Sequence, residues 1–590
     1  MKRRLFALAL ALLLAVSLPV SALAETWYLE DGNITVSATE NGQYVSQGGN
    51  NVRDDDPTIT QKDSSKETGS TIKIETTGDA TADVTIEKVN IKSSGDAIDV
   101  GSSSANITLK GGNKIFSESG SALHVSSGDV TIDGDGTLEA GSENEDNNHA
   151  AIGSHAEEGM SGDITIGGSA KVTAVSRDDG AGIGSGDMGK MSGDITIGDN
   201  AQVTAWSGTG GAGIGSGREN DVSGTITIGG NAQVTAGSNS ETAGIGSGNN
   251  GSITSAGRII IRDSAKVTAI GEDEGAGIGT GEDELMAGMI IIQDNAQVTA
   301  IAGDRAAAIG SDNRNEMTGT IFIIGNARVT TGILDNDAVD FDYNTKEIIY
   351  TLDENATGYI GDSKYSNHAS DYGHYVIGPD VTINGISGSD IEALKDYINM
   401  RLSGENHDGE PENLTKLEIR SENGEFTVTA DGEGTVEKIL YDGSETVPTA
   451  PGTYPVTCVV RLGSETITFQ IGTFIVPEPP AEAAQPAPVY HVTDKDGNQI
   501  SYTAAREGGV LTIRADAAYA RLTLTADEAQ ALTAQGVEKV VFITTGATSA
   551  FRPADLTAYA SEAPFVLTHD GETVTFTAGE TDLASLLLQA

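Results

Sequence analysis

The chain has 590 residues, with 86 Asp and Glu against 35 Lys and Arg, 75 glycines, 5% aromatic residues and one cysteine. A formal net charge of −51 makes nucleic acid and anionic membrane surfaces poor partners, and neither is expected. The single cysteine excludes an internal disulfide framework.

Residues 1–24 read as a secretory signal peptide. Lys2-Arg-Arg4 precedes an apolar run from Leu5 to Leu18, and Ser21-Ala-Leu-Ala24 forms a small-residue cleavage site before Glu25. Losing Lys2, Arg3 and Arg4 takes the net charge from −51 to −54. The mature protein is expected to be secreted, extracellular or loosely attached to the cell surface. No second apolar stretch of spanning length follows, so no membrane insertion is expected.

Residues 25–69 read as an N-terminal cap with lead-in strands. Three alternating segments then begin at Val84, Ile107 and Val130, spaced 23 residues apart. From Ala151 to Thr330 a longer unit of about 31 residues recurs six times. Its anchors are Ile164, Ile195, Ile226, Ile259, Ile290 and Ile321, then Val172, Val203, Val234, Val267, Val298 and Val329, then Ile152, Ile183, Ile214, Ile245, Ile278 and Ile309. Segments such as Ile164-Thr-Ile166 and Lys171-Val-Thr-Ala174 alternate apolar and polar at period two, which is a strand pattern. A unit this short and glycine-rich buries no core alone, so neighbours must stack. Three short strands per unit, pairing in parallel with their equivalents, define a β-helix over 70–335. Its right hand follows from the handedness of parallel crossovers. The fold class is therefore all-β dominated: a right-handed parallel β-helix followed by a small β-sandwich and a small α+β module.

Within each coil, alternation turns Ile164, Ile166, Val172, Ala174 and Ile183 inward. The column Thr173, Thr204, Thr235, Thr268, Thr299 and Thr330 faces outward, beside Lys171, Gln202, Gln233, Lys266, Gln297 and Arg328. Ser169, Asn200, Asn231, Ser264, Asn295 and Asn326 occupy one turn position and should form a hydrogen-bonded ladder. A third outward column changes character along the rod, from Thr165, Thr196 and Thr227 to Ile260, Ile291 and Phe322. Three large apolar side chains in water favour aggregation, so residues 335–402 are expected to fold over them.

Residues 336–412 form a C-terminal cap region, in which Ile391, Leu394, Ile398 and Leu402 mark a short helix behind a Ser389-Asp390 cap. Residues 413–476 alternate as a small β-sandwich, in which Cys458 should be buried as a small hydrophobe. The proline-rich stretch 477–488 reads as a stiff linker. Residues 489–590 form a small α+β module, with a capping box Thr525-Ala-Asp-Glu528, a helix ended by Gly536, and a buried strand Val540-Val-Phe-Ile543. Asp494-Lys-Asp-Gly-Asn498 lacks the distal Glu of a calcium loop and reads as a β-turn.

A catalytic centre on a solenoid would interrupt the repeat, and the outward strand positions here are Thr, Lys, Gln or apolar. His124, His149 and His155 do not recur together. The glycine runs precede strands where a phosphate loop needs a helix, so they read as turns. No enzyme is expected. The acids concentrate in the long turns: Asp178 and Asp179, Glu272, Asp273 and Glu274, and Glu282 to Glu284. Stacked turns bring these like charges together, and calcium is the cofactor that would relieve them, through carboxylates and carbonyls in irregular loops.

The repeated GAGIGSG…DITIGG coils and the TWYLEDGNITVSATENGQYVSQGG start at Thr26 to Gly49 resemble the secreted carbohydrate-binding parallel β-helix proteins of Gram-positive bacteria. Ala450 to Tyr454, APGTY, resembles the approach to a strand in bacterial immunoglobulin-like modules, here over 414–476. The resemblance implies adhesion to an extracellular acidic polysaccharide of the pectin type, without cleavage. On the residues above, the glycan would lie on Thr173, Thr204, Thr235, Lys171, Gln202 and Gln233, with Trp206 as aromatic platform. Calcium would bridge it to Asp178, Asp179, Glu272, Asp273 and Glu274. A structural or adhesive surface rod without a glycan ligand is the alternative, and a polysaccharide-active enzyme the third.

Overall fold

The computed structural model describes residues 25–588, apart from 283–284, 313–316, 355, 362–372, 399–413, 423–424, 433, 463–464, 477–488, 560–562 and 572. The expected signal peptide, the proline-rich linker and Leu402 lie outside the described residues. The chain divides into two units, Met1–Val476 and Pro477–Ala590.

The first unit is a β-solenoid. Each long coil contributes one strand to each of three parallel sheets: Ile164–Ile166 to the first, Lys171–Val175 to the second and Ile183–Gly184 to the third. Successive coils pair residue for residue, Ile164 with Ile195, Val172 with Val203 and Ile183 with Ile214. Every anchor isoleucine named above is fully buried. The eight extra residues of the long coils add a fourth column, Met160, Met191, Val222, Ile253, Met286 and Met317, joined by single parallel bridges and also fully buried.

Local backbone chemistry fixes the corners. The turn between first and second strands needs one left-handed residue, supplied by Gly168 (φ +59°), Asp199 (+52°), Gly230 (+62°), Asp263 (+59°), Asp294 (+60°) and Gly325 (+69°). Only glycine, asparagine or aspartate tolerates that region cheaply. Gly184 in the third sheet is required for space as well, because a Cβ there would stand 1.7 Å from the carbonyl of Gly215. Many acids are structural. Asp194 N donates to Asp163 Oδ1 (2.8 Å), Thr225 N to Asp194 Oδ1 (2.7 Å) and Gly230 N to Asp263 Oδ2 (2.8 Å). The expected amide ladder forms in part, Asn231 donating to Asn200 (3.2 Å) and Asn326 to Asn295 (3.3 Å).

Parallel pairing reaches further at both ends than the 70–335 read from the repeat. Thr26–Tyr28 already pairs with Thr58–Thr60, and His374–Ile377 continues the first sheet to Leu414. Asp390 caps a single helical turn, Ile391–Leu394, by accepting from Ala393 N. Leu394 and Ile398 from this segment close the end of the solenoid core.

Of the apolar column, Ile291 and Phe322 are buried and Ile260 is partly buried, but the cover is not residues 335–402. Val376 extends the column, and the cover comes from Leu417, Val428, Cys458, Val460, Ile467 and Phe469. The hairpin Leu414–Glu422 and Glu425–Asp431 continues the first sheet, while Thr435–Tyr441, Gly452–Leu462 and Glu465–Val476 form a separate antiparallel sheet. Residues 414–476 thus share their core with the solenoid instead of standing apart. The second unit has its own core, around Val540, Phe542, Phe551 and Phe565, and the helix Ala526–Ala534 carries the expected capping box. Asp494 Oδ1 accepts from the backbone of Asp496 and Asn498 (both 2.9 Å), as in the expected turn.

Candidate functional site

The second sheet carries two outward columns in register. One runs Asn90, Lys114, Glu139, Thr173, Thr204, Thr235, Thr268, Thr299 and Thr330. The other runs Lys92, Phe116, Gly141, Val175, Trp206, Gly237, Ile270, Ile301 and Gly332. The apolar middle of the second column needs a lid. The chain supplies it by extending one strand of this sheet, Arg328–Asp342, beyond the sheet and returning as Glu347–Leu352. Leu334, Phe341 and Ile348 from this hairpin pack on Val175, Trp206, Ile270 and Ile301. Gly237 makes the fit possible, since a Cβ there would stand 2.9 Å from Ile348 Cδ1.

Where the hairpin ends, the neighbouring column turns from Thr173 to Glu139 and Lys114, and a cavity of about 300 Å³ opens against the short coils. Phe116, Val175 and Tyr343 form its apolar surfaces, while Lys114, Glu139, Glu143, Arg177 and Lys346 supply charge. The Arg177 guanidinium lies over the Tyr343 ring, 4.1 Å from its centroid. Tyr343 is 39% exposed, and its ring is steadied by Phe341, edge-on at 5.1 Å. Lys114 pairs with Glu139 (3.2 Å), as does Lys346, and Lys92 with Glu143 (2.5 Å). The Lys92 ammonium holds the Glu143 carboxyl below the usual carboxylate range, and burial raises the Tyr343 phenol.

Next to this groove the expected glycan-facing columns stay on the surface. Lys171, Gln202 and Gln233 are exposed, and Thr173, Thr204 and Thr235 are half-buried. The aromatic platform expected at Trp206 is absent: this residue is 2% exposed and stacks under Phe341, because an indole in an outward column of apolar neighbours is driven beneath the hairpin.

The acidic turns are not open carboxylate clusters either. Arg218, from the next coil, pairs with Asp179 (2.6 Å) and with Asp187 (3.2 Å). Thr209 donates to Asp178 Oδ1 (2.8 Å) and Asp179 Oδ1 (3.0 Å). Arg305 likewise pairs with Asp273 (3.1 Å) and with Glu274, which is buried, and Glu272 accepts from Ser240 N. Arginines one coil on thus relieve the repulsion for which calcium was expected. Asp283 and Glu284 lie outside the described residues.

The groove was not read from the sequence, because it joins Phe116 to Tyr343 across more than two hundred residues. The alternation Val339-Asp-Phe341-Asp-Tyr343, within the expected cap region, is the signal the sequence offers for it. The three histidines do meet, His124 on a strand of the third sheet and His149 and His155 in the turns on either side of Ile152–Gly153. Among the described residues no helix is long and apolar enough to cross a membrane. No protein-family model, curated protein or solved structure matches the chain.

Proposed function

We propose that the protein is a secreted, non-catalytic glycan-binding rod with a right-handed coil, and that the glycan lies on the second sheet. It would enter the groove framed by Lys114, Arg177, Tyr343 and Lys346 and run along the Thr173, Thr204 and Thr235 column. The observation that carries this reading is the Arg177–Tyr343 stack beside Phe116, half-open and set among paired Lys and Glu side chains. Such a site offers an apolar ring to the C–H face of a sugar, and oriented donors and acceptors to its hydroxyls. Arg177 and Lys114 would also take a uronate carboxylate, which lets an acidic polysaccharide approach a chain of strongly negative charge. With Arg218 and Arg305 on the turn acids, this reading needs no calcium bridge.

The test is binding of purified residues 25–590 to a polysaccharide panel that includes polygalacturonate, with calcium and with chelator. Tyr343→Ala and Arg177→Ala should each weaken retention by about tenfold, the scale of an interface anchor, with or without calcium. Retention only with calcium restores the bridge at the acidic turns. No retention of any glycan leaves the structural rod, and release of new reducing ends the enzyme.

A further inference from the structure

His124, His149 and His155 meet where the short coils give way to the long ones. His124 is an outward residue of Leu123–Val125, in register with Asp99 of the coil before and Gly153 of the coil after. His155 and Glu158 belong to the first long turn. Later long turns rest on one another through backbone bonds, such as Met188 N to Arg218 O (2.9 Å). The turn at His155 follows a short coil, so on that side its side chains descend onto His124.

The result is an ordered cluster. His155 Nε2 stands 2.7 Å from Asp96 Oδ1, and His124 Nδ1 stands 2.9 Å from Asp99 Oδ1 and 3.8 Å from Asp96 Oδ2. The opposite nitrogens of both rings face one oxygen, Glu158 Oε2, at 2.8 Å from His124 Nε2 and 3.6 Å from His155 Nδ1. The two rings stack with centroids 3.8 Å apart and planes 3° from parallel. Asp96 is held by Ser121 N (2.9 Å), and it fits because residue 120 is glycine, where a Cβ would stand 2.4 Å from its Oδ1.

Two fillings satisfy these contacts. In one, a His124 imidazolium donates to Asp99 and Glu158 and a neutral His155 donates its Nε2–H to Asp96. In the other, a cation on the Asp96 side takes the lone pairs of His124 Nδ1 and His155 Nε2, while the far N–H of His124 points to Glu158. Candidate ligand atoms of Asp96, His124 and His155 all lie within 4.8 Å of one another. Bonds of about 2.0–2.2 Å from nitrogen and carboxylate oxygen to zinc put two ligand atoms at most about 4.4 Å apart, so the three side chains would close slightly around the ion.

We propose that Asp96, His124 and His155, with Asp99 beside them, bind a divalent transition-metal ion of the zinc class through His124 Nδ1 and His155 Nε2. Glu158 accepts the far N–H of His124 and stands 3.6 Å from that of His155, so it fixes the orientation of the first ring, the role carboxylates take behind metal-bound histidines. Imidazole nitrogen in the ligand set selects zinc, cobalt or nickel over calcium. The ion pins the first long turn to the short coils. This site stands on a different sheet from the groove and does not rest on the glycan reading.

The experiment uses residues 25–590, stripped with chelator and then titrated with Zn²⁺ by calorimetry and with Co²⁺ by visible absorption. One equivalent per chain is expected, with cobalt bands of a nitrogen-containing site. His155→Asn, on a half-exposed turn, should weaken binding by at least about 100-fold, and Glu158→Gln by about 10–100-fold. Circular dichroism and melting without metal check that each variant is folded. The proposal is overturned if the folded His124→Asn/His155→Asn variant takes up as much zinc as the parent. It is equally overturned if the parent shows no cobalt bands and no stoichiometric uptake, which would leave a proton-linked network.

Discussion

Trp206 and Phe341 stack 135 residues apart, with ring centroids at 6.1 Å and planes at 27°. This contact ties the returning hairpin to the rod and so places Tyr343 at the groove. Phe341→Ala should cost about 3–5 kcal/mol, the usual range for emptying a buried aromatic site. In a Trp27→Phe background, Trp206 emission should shift to longer wavelength as the hairpin loosens. An unchanged spectrum, with no new proteolytic cleavage in 335–352, would show that the hairpin is held elsewhere.

Asp54 organises the other end. It is fully buried and accepts from Trp27 Nε1 (2.8 Å), Glu25 N (3.0 Å) and Asp56 N (3.2 Å). Asp54→Ala leaves these donors without their acceptor, and about 1–3 kcal/mol of stability should be lost. If export ends the leader at Ala24, the new ammonium of Glu25 falls on this carboxylate. A chain starting at Glu25 should then melt higher than one with residues added before it; equal melting temperatures exclude the ion pair.

Arg218 serves Asp179 and the nearly buried Asp187, whose acidity burial weakens. Arg218→Ala should cost about 3 kcal/mol, the lower end for breaking a buried pair, because the guanidinium is a third exposed. A carboxyl whose folded pKa is raised favours the fold at low pH and disfavours it as pH rises through that pKa. The penalty in Arg218→Ala should therefore shrink on acidification, as urea unfolding at several pH values would register.

His569, in the second unit, is fully buried between Thr544 Oγ1 (3.0 Å) and Ser549 Oγ (2.8 Å), and desolvation lowers its pKa. Its lowered folded pKa means that the unfolded chain binds the proton first. Stability of this unit should be complete above about pH 6.5, the unfolded value, and fall as pH drops below it. Hydrogen exchange in 489–588 at pH 7.5 and 5.5 should show this slope, and His569→Phe should flatten it.

Cys458 is fully buried, with its thiol pushed up to about 12 by desolvation. A thiol reagent at pH 8 should modify it only after unfolding. Rapid labelling of the native chain would show that the strands covering Phe322 open.

What the sequence alone determined follows from repetition. Ile164, Val172 and Ile183 recur at a fixed spacing, and alternation assigns every side of every strand, so the solenoid, its core and its exposed Lys171, Gln202 and Gln233 were legible without coordinates. The caps at Asp390 and Thr525 were legible for the same reason, since each satisfies backbone donors a few residues away.

Contacts that leave the repeat belong to tertiary structure. The need to cover Ile291 and Phe322 was visible in their hydrophobicity, but apolar demand is non-directional, and only the fold chose 414–476 over 335–402. An indole at Trp206 reads alike whether it binds a sugar or sits beneath Phe341. An acid at Asp179 reads alike whether it meets calcium or Arg218. His124 and His155 are neighbours only because a 23-residue coil adjoins a 31-residue one. A periodic pattern specifies what every coil has in common, whereas grooves and ligand clusters form where coils differ, and their geometry exists only once the chain is wound.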